Sequence, residues 1–289
     1  MLKYSFFILL VFVACKSQQV ITPNANDKDD VIYIPEESLN GGEIAEGEEY
    51  TEERILEEIE VTAPRGFALP AYNPTTTQDW DLIKTELDLR FDWTNEHVIG
   101  RAILTLKPYF YPQQFLMLDA KGMEIQSITN GVGQDLTFQY NGLKIDIDMN
   151  QLFTKEQEVE LVIDYVAKPS EGPSGGSAAI TSDKGLFFIN PRGEEGDKPQ
   201  QIWTQGETEN NSKWFPTIDK PNERMIQKIS LTVEDRFITL SNGIKVRSVK
   251  TPDGKRTDYW EMNDPHAPYL AMIAVGEFAV VKDKWKDIE

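Results

Sequence analysis

Cysteine and histidine are nearly missing from this chain, which has one Cys and two His in 289 residues. A single cysteine excludes an internal disulfide and the multi-cysteine cages that hold structural zinc. A hydrolytic zinc site is typically built on two His one helical turn apart, with a Glu between them. His97 lies in Glu96-His97-Val98-Ile99-Gly100, with no second His four residues on. His266 lies in Asp264-Pro265-His266-Ala267-Pro268, where the prolines forbid a helix. Gly172-Pro173-Ser174-Gly175-Gly176 has the Gly-x-Ser-x-Gly spacing but lies in a Gly/Ser/Pro loop over 169–177 and not in a strand-to-helix elbow, and a phosphate-cradling glycine loop is absent. No catalytic residue and no metal ligand is therefore assigned in this chain. Positive charge is scarce as well: 29 Lys and Arg face 48 Asp and Glu, a formal net charge of -19. Nucleic acid and anionic lipid need a basic face, so they are not expected as partners.

Long apolar runs are confined to the start. Lys3 gives a short positive region, and residues 6–13 (Phe-Phe-Ile-Leu-Leu-Val-Phe-Val) follow as an apolar stretch. That stretch is too short to cross a bilayer as a mature helix and reads as a signal peptide over residues 1–15. It ends in Val13-Ala14-Cys15, which resembles the lipobox of bacterial lipoproteins, with Phe12 where leucine is usual. The expectation is acylation of Cys15, several acyl chains giving stable membrane attachment, and export to the bacterial cell envelope. An ordinary signal peptide with an unmodified Cys15 is the alternative.

Residues 16–75 read as a flexible acidic tether. From Asp27 to Glu60 the only bases are Lys28 and Arg54, and Gly41-Gly42 and Gly47 interrupt the run. Such a segment buries too little apolar surface to offset its ordering entropy.

From about Asp79 the pattern becomes that of half-buried strands. Ile83, Thr85, Leu87, Leu89 and Phe91 alternate with Lys84, Glu86, Asp88 and Arg90, and Ala102, Leu104 and Leu106 alternate with Arg101, Thr105 and Lys107. Further strands are expected around residues 115–118, 123–128, 136–140, 143–147, 158–167, 185–189, 228–233, 244–250 and 258–261. A last, largely buried strand is expected over 269–281. Asn141-Gly142 and Pro252-Asp253-Gly254-Lys255 mark hairpin turns, and a short helix is expected near 210–213. The expected fold class is all-β, a large saddle-shaped β-sandwich over residues 76–289.

Residues 203–224 are the most informative stretch. Thr204-Gln205-Gly206-Glu207 is followed by Phe215-Pro216 and then Asp219-Lys220-Pro221. This order resembles the Thr-Gln-x-Glu, Phe-Pro, Asp-x-Pro hallmark of the aminopeptidase N family of zinc metallopeptidases. Phe115-Leu116-Met117-Leu118-Asp119-Ala120 resembles a strand of the same family. Ala267-Pro268-Tyr269-Leu270, with Gly276-Glu277-Phe278, resembles the strand that closes its N-terminal domain. Lys121-Gly122-Met123-Glu124 superficially suggests the family's Gly-x-Met-Glu-Asn strand, yet it continues Ile125-Gln126 in alternation and reads as an ordinary strand start.

The resemblance implies a saddle-shaped β-domain that packs on a separate catalytic domain carrying the His-Glu-x-x-His helix, where zinc is expected; none is expected in this chain. It implies that Glu207 binds the free α-amino group of peptide substrates and that Gln205 lines the same pocket. A carboxylate sheltered from water holds an ammonium by a charge-assisted hydrogen bond, and only a chain terminus carries that ammonium. The expectation is a truncated or split member of the family, inactive alone. The alternative is a stand-alone lipid-anchored domain that binds peptides or proteins.

Overall fold

The computed structural model describes residues 77–171 and 183–284. The expected signal peptide, Cys15 and the acidic tether lie outside the described residues. In chain order the strands are β1 (Trp80–Asp92), β2 (His97–Pro108), β3 (Gln113–Asp119), β4 (Met123–Asn130), β5 (Thr137–Tyr140), β6 (Lys144–Phe153) and β7 (Val159–Ala167). There follow β8 (Leu186–Ile189), β9 (Gln201–Thr204), β10 (Met225–Glu234), β11 (Ile238–Ser241), β12 (Ile244–Lys250), β13 (Lys255–His266) and β14 (Ile273–Gly276). They form a seven-stranded sheet β12-β13-β10-β1-β2-β7-β4, a four-stranded sheet β11-β14-β9-β8 and a three-stranded sheet β3-β6-β5. The expected all-β class holds.

The two-residue alternation of the sequence becomes a two-residue burial period. Leu87 and Leu89 of β1 are buried while Asp88 and Arg90 face solvent, and Leu161, Ile163 and Tyr165 of β7 are buried in the same rhythm. One detail differs from the sequence reading. A register shift between Leu82 and Lys84 inserts a bulge, so Leu82 turns inward and Ile83 is only half-buried. A bulge opposes two residues to one and breaks the alternation locally. β1 pairs antiparallel with β2 and parallel with β10, from Lys84 opposite Ile226 to Arg90 opposite Thr232.

The two smaller sheets face the same core. Leu116, Leu118, Ile145 and Ile147 from one, and Leu186, Ile202, Ile273 and Val275 from the other, join Leu87, Leu104 and Ile163 in one buried cluster. Trp93, in the turn after β1, stacks on Phe237 at 4.9 Å and meets Phe188 edge-on at 5.7 Å. Those contacts tie the β1–β2 hairpin to the four-stranded sheet, each worth a modest amount beyond its buried area.

The expected strand over 269–281 is not continuous. Pro268–Leu270 forms a 3-10 turn and only Ile273–Gly276 is a strand. Proline has no N–H for a ladder, and the Pro268 and Ala271 carbonyls are taken by the side chain of Asn211 rather than by a neighbouring strand. Beyond Gly276 the chain emerges, with Val280 and Val281 exposed. β9 and β11, four residues each, were not anticipated from the sequence, although β5 and β8, equally short, were. The short helix expected near 210–213 is a 3-10 turn over Asn211–Lys213.

Candidate functional site

The segment between β9 and the 3-10 turn carries both residues singled out by the sequence. The Gln205 N–H donates to the Gly185 carbonyl at 2.8 Å and prolongs the β8–β9 pairing by one step. Gln205 is half-buried, and the two-residue period puts it on the same face as Trp203. Gly206 follows where no side chain fits: a Cβ there would lie 2.2 Å from the Tyr269 carbonyl oxygen and 2.6 Å from the Asn211 Nδ2. The chain then bends out. Glu207 is exposed, and its carboxylate makes no ion pair or hydrogen bond among the described residues. The Glu207–Thr208 peptide is cis. Asn210 closes the bend, its backbone N–H donating to the Gly206 carbonyl at 2.9 Å and its Nδ2 to the Glu207 carbonyl at 2.7 Å.

Buried polar groups beneath the bend fix its position. Asn211 is fully buried; its Nδ2 donates to the carbonyls of Pro268 (2.6 Å) and Ala271 (2.9 Å), and its Oδ1 accepts from the Trp214 indole N–H at 2.7 Å. Its amide thus serves three buried groups, of which only the Pro268 carbonyl has another partner, the Ala271 N–H at 3.0 Å. The Asp219 Oδ2 accepts from the Ser212 N–H at 2.9 Å, and the Asp219 N–H donates to the Asp119 Oδ2 at 3.1 Å. Burial pushes the Asp219 carboxyl above the ordinary aspartate range, while the Ser212 N–H pulls the other way. The backbones of Asp119 and Thr217 bridge in both directions at 2.8 and 3.0 Å, and the Lys121 N–H donates to the Ser212 carbonyl at 2.7 Å. Lys220 Nζ lies 3.0 Å from Glu209 Oε1, and Lys121 Nζ donates to the Glu209 carbonyl. From the core side, the buried Tyr165 hydroxyl donates to the Trp214 carbonyl at 3.0 Å. Gly100 makes room for that ring, since a Cβ there would lie 2.3 Å from the Tyr165 Cζ. The bend is therefore held to all three sheets.

An apolar row leads up to it. Across the four-stranded sheet, Leu240 pairs with Ala274, Ala274 with Trp203, and Trp203 with Phe187. Leu240 is 49% and Trp203 39% exposed, and the Phe187 and Trp203 rings stack at 4.5 Å with 13° between their planes. This is the side of the sheet turned away from the core, and Gln205 continues it.

Neither histidine belongs to this site. His97 Nε2 lies 2.7 Å from Glu171 Oε1, and His266 Nε2 lies 3.0 Å from Gln227 Oε1. They stand toward opposite ends of the seven-stranded sheet, His97 opposite Asp92 and His266 opposite Met225. Among the described residues no group of three or more His, Cys, Asp or Glu is placed to hold a metal ion, so these residues do not fit a zinc centre.

The sequence singled out Gln205 and Glu207, and it placed Asp219 only within the Asp-Lys-Pro hallmark. It did not identify Asn211, Gly206 or Tyr165, whose contributions come from partners up to about sixty residues away. Asn211, deep within a polar run, carried a signal only in being flanked by Gly206 and the aromatic pair Trp214-Phe215. Trp214 and Phe215 are fully buried, as expected of core aromatics, whereas Trp203 is not.

The profile of the Peptidase M1 N-terminal domain matches residues 72–270. Aminopeptidase N of Haemophilus influenzae is 26% identical over 207 residues, which are 71% of this chain and 22% of that protein. Transcription initiation factor TFIID subunit 2 of Gallus gallus is 28% identical over 104 residues, covering 35% of this chain and 9% of that one. The chain thus spans less than a quarter of these relatives' length. In fold it is similar to the crystal structure of an M1 zinc metallopeptidase from Deinococcus radiodurans, with a TM-score of 0.59 at 18% identity, over 69% of this chain and 42% of that one.

Proposed function

Since the chain belongs to the Peptidase M1 N-terminal domain family, we propose that it is the non-catalytic front domain of an aminopeptidase N-type zinc metallopeptidase, supplying the carboxylate that anchors a substrate's free α-amino group. The observation that carries this reading is the combination at Glu207: a carboxylate without a partner among the described residues, at the tip of a bend whose backbone is held by Asn210 and seated on Gly206 and buried Asn211. A carboxylate placed only for solubility needs no such support, whereas one that must meet an ammonium at a set position does. Gln205 lies two residues back and offers an amide oxygen as a second acceptor.

The apolar row Leu240–Ala274–Trp203–Phe187 supports a catalytic domain as the partner. A stacked aromatic pair of exposed Trp203 and half-buried Phe187 beside a binding residue is the kind of surface that a second domain buries. Such coverage would also strengthen the anchor. In water the attraction between an ammonium and a carboxylate is about 1 kcal/mol at 4 Å, and it grows several-fold when the pair is partly shielded. The isolated chain therefore binds free amines weakly. In this reading zinc belongs to the catalytic domain, and Glu207 and Gln205 bind and orient the peptide without touching the bond that breaks.

The test is Glu207→Gln in a polypeptide joining this chain to a His-Glu-x-x-His catalytic region, assayed on an aminoacyl reporter. Loss of a charged hydrogen bond costs about 1.5–3 kcal/mol, so kcat/KM should fall by about ten- to a hundred-fold with the fold intact. Unchanged kinetics, or equal binding of amino-blocked and free peptides, would remove the anchor role. Stable, monomeric peptide binding by this chain without a catalytic partner would favour a stand-alone binding domain instead.

A further inference from the structure

The outer edge of β3 opens onto a groove. Phe115, Met117 and Asp119 lie opposite Asp148, Asp146 and Lys144 of β6. The Ala120 N–H donates to the Leu143 carbonyl, on the β6 side, whereas the Asp119 N–H and carbonyl turn the other way and bond with Thr217. In an antiparallel pair this alternation continues along the strand, so the backbone groups of Phe115 and Met117 also turn outward. The Phe115 carbonyl accepts from the Trp80 indole N–H at 2.8 Å. The Met117 N–H and carbonyl have no partner among the described residues. Trp80 at one end and Thr217 at the other thus bound a short stretch of open edge. The groove beside it measures about 470 Å³, and Ile218, Phe115 and Met117 are among its walls.

Charge in this groove is one-sided. Asp79, Asp119 and Asp146 line it, and none of them forms an ion pair among the described residues. Of its two lysines, Lys220 is committed to Glu209 at 3.0 Å, and Lys144 directs its Nζ to the Met117 sulfur at 3.4 Å. Three carboxylates against one uncommitted ammonium leave the groove anionic.

We infer that the groove takes an extended peptide segment bearing a lysine or arginine, which adds to β3 as a further strand. The Met117 N–H and carbonyl call for a peptide backbone, because an extended chain returns an acceptor and a donor at the matching spacing. Between Phe115 and Asp119 the edge is about 13 Å long at ~3.3 Å per residue, enough for about four residues. A peptide residue opposite Met117 shares a face with Met117 and with Asp146 one strand further on. A long basic side chain there lays its stem over the exposed Met117 and brings its charge to Asp146. The edge also lacks the usual guards against strand addition. β3 holds neither lysine nor proline, whereas β12, the edge of the largest sheet, carries Lys245, Arg247, Lys250 and a register shift. The inference stands apart from the reading of Glu207, since the peptide's terminus takes no part.

The test is calorimetric titration of the full-length protein with Ac-Ala-Val-Lys-Val-Ala-NH2, whose blocked end offers Glu207 no α-amino group. Saturable binding is expected, and none to the same peptide with glutamate in place of lysine. Asp146→Asn, a change at an exposed position, should weaken binding by about two- to fivefold. Methylating the backbone nitrogen of the peptide's lysine removes the donor to the Met117 carbonyl and should weaken it by about two- to tenfold. Absence of saturation with the lysine peptide overturns the inference. So does equal binding of the glutamate peptide, or indifference to either Asp146→Asn or the methylation. Binding that falls as protein concentration rises would assign the edge to a second copy of the chain, and overturns it too.

Discussion

Replacing Asn211 by Ala removes three hydrogen bonds from one fully buried position. The Ala271 carbonyl loses its donor and the Trp214 indole N–H its acceptor, whereas the Pro268 carbonyl loses one donor and keeps the Ala271 N–H at 3.0 Å. A buried polar group left without a partner costs about 1–3 kcal/mol. The two orphaned groups share one small space and relax together, so their costs do not simply add. A loss of about 2–5 kcal/mol is expected, a large part of the roughly 5–15 kcal/mol that holds a typical domain. Urea unfolding of the full-length chain, followed by tryptophan fluorescence, reads this as a lower midpoint with an unchanged slope. Asn211→Asp keeps the shape but turns a carboxylate oxygen toward one of the two carbonyls, so it should be at least as damaging as Ala. A loss below about 1 kcal/mol for Ala would refute the reasoning, because it would mean that water or backbone adjustment replaces all three bonds.

Other expectations follow from the same region and its surroundings. Gly206→Ala pushes a methyl group to 2.2 Å from the Tyr269 carbonyl oxygen. It should cost about 1–3 kcal/mol by overpacking in the same unfolding assay, and it should weaken amine binding by displacing Glu207. Glu207→Gln, at an exposed tip, should leave the unfolding midpoint within about 0.5 kcal/mol of wild type, so that any loss of function belongs to the site and not to the fold. Burial pulls the His266 imidazole below its ordinary value of 6.5. The unfolded chain then takes up a proton that the folded chain resists, so His266's contribution is full above that value and is lost as pH falls below it. His266→Gln should flatten that decline in urea midpoints measured between about pH 7.5 and 5.5.

β2 and β7, and β1 beyond its bulge, have one face buried along their length, and a two-residue period survives in the residue order. Length alone does not decide legibility: β5 and β8 have four residues each and were anticipated, β5 beside the Asn141-Gly142 turn and β8 after Gly185, whereas β9 and β11, equally short, were not, and their place is set by pairing with β14. The break in the expected 269–281 strand came from outside the local pattern, because Asn211 claims the carbonyls that a ladder would have used. Gln205 and Glu207 were legible by resemblance of spacing alone. Nothing local distinguishes Glu207 from a solvated turn carboxylate, and its significance rests on the buried partners beneath it. The two histidines were correctly set aside from a helical pair by their flanking residues, and the register places them toward opposite ends of one sheet.

The parallel pairing of β1 with β10 also constrains the order of events when the chain folds. Leu89 and Leu231 lie opposite one another, separated by roughly 140 residues of intervening chain, and closing so long a loop is slow. Until residue 234 is available, the β10 side of β1 stays an open row of backbone donors and acceptors flanked by leucines, a template for misplaced strands. Residues as far as His266 must therefore be in hand before the largest sheet can be completed, and any cell that makes this protein must keep the segments before β10 from pairing elsewhere in the interval.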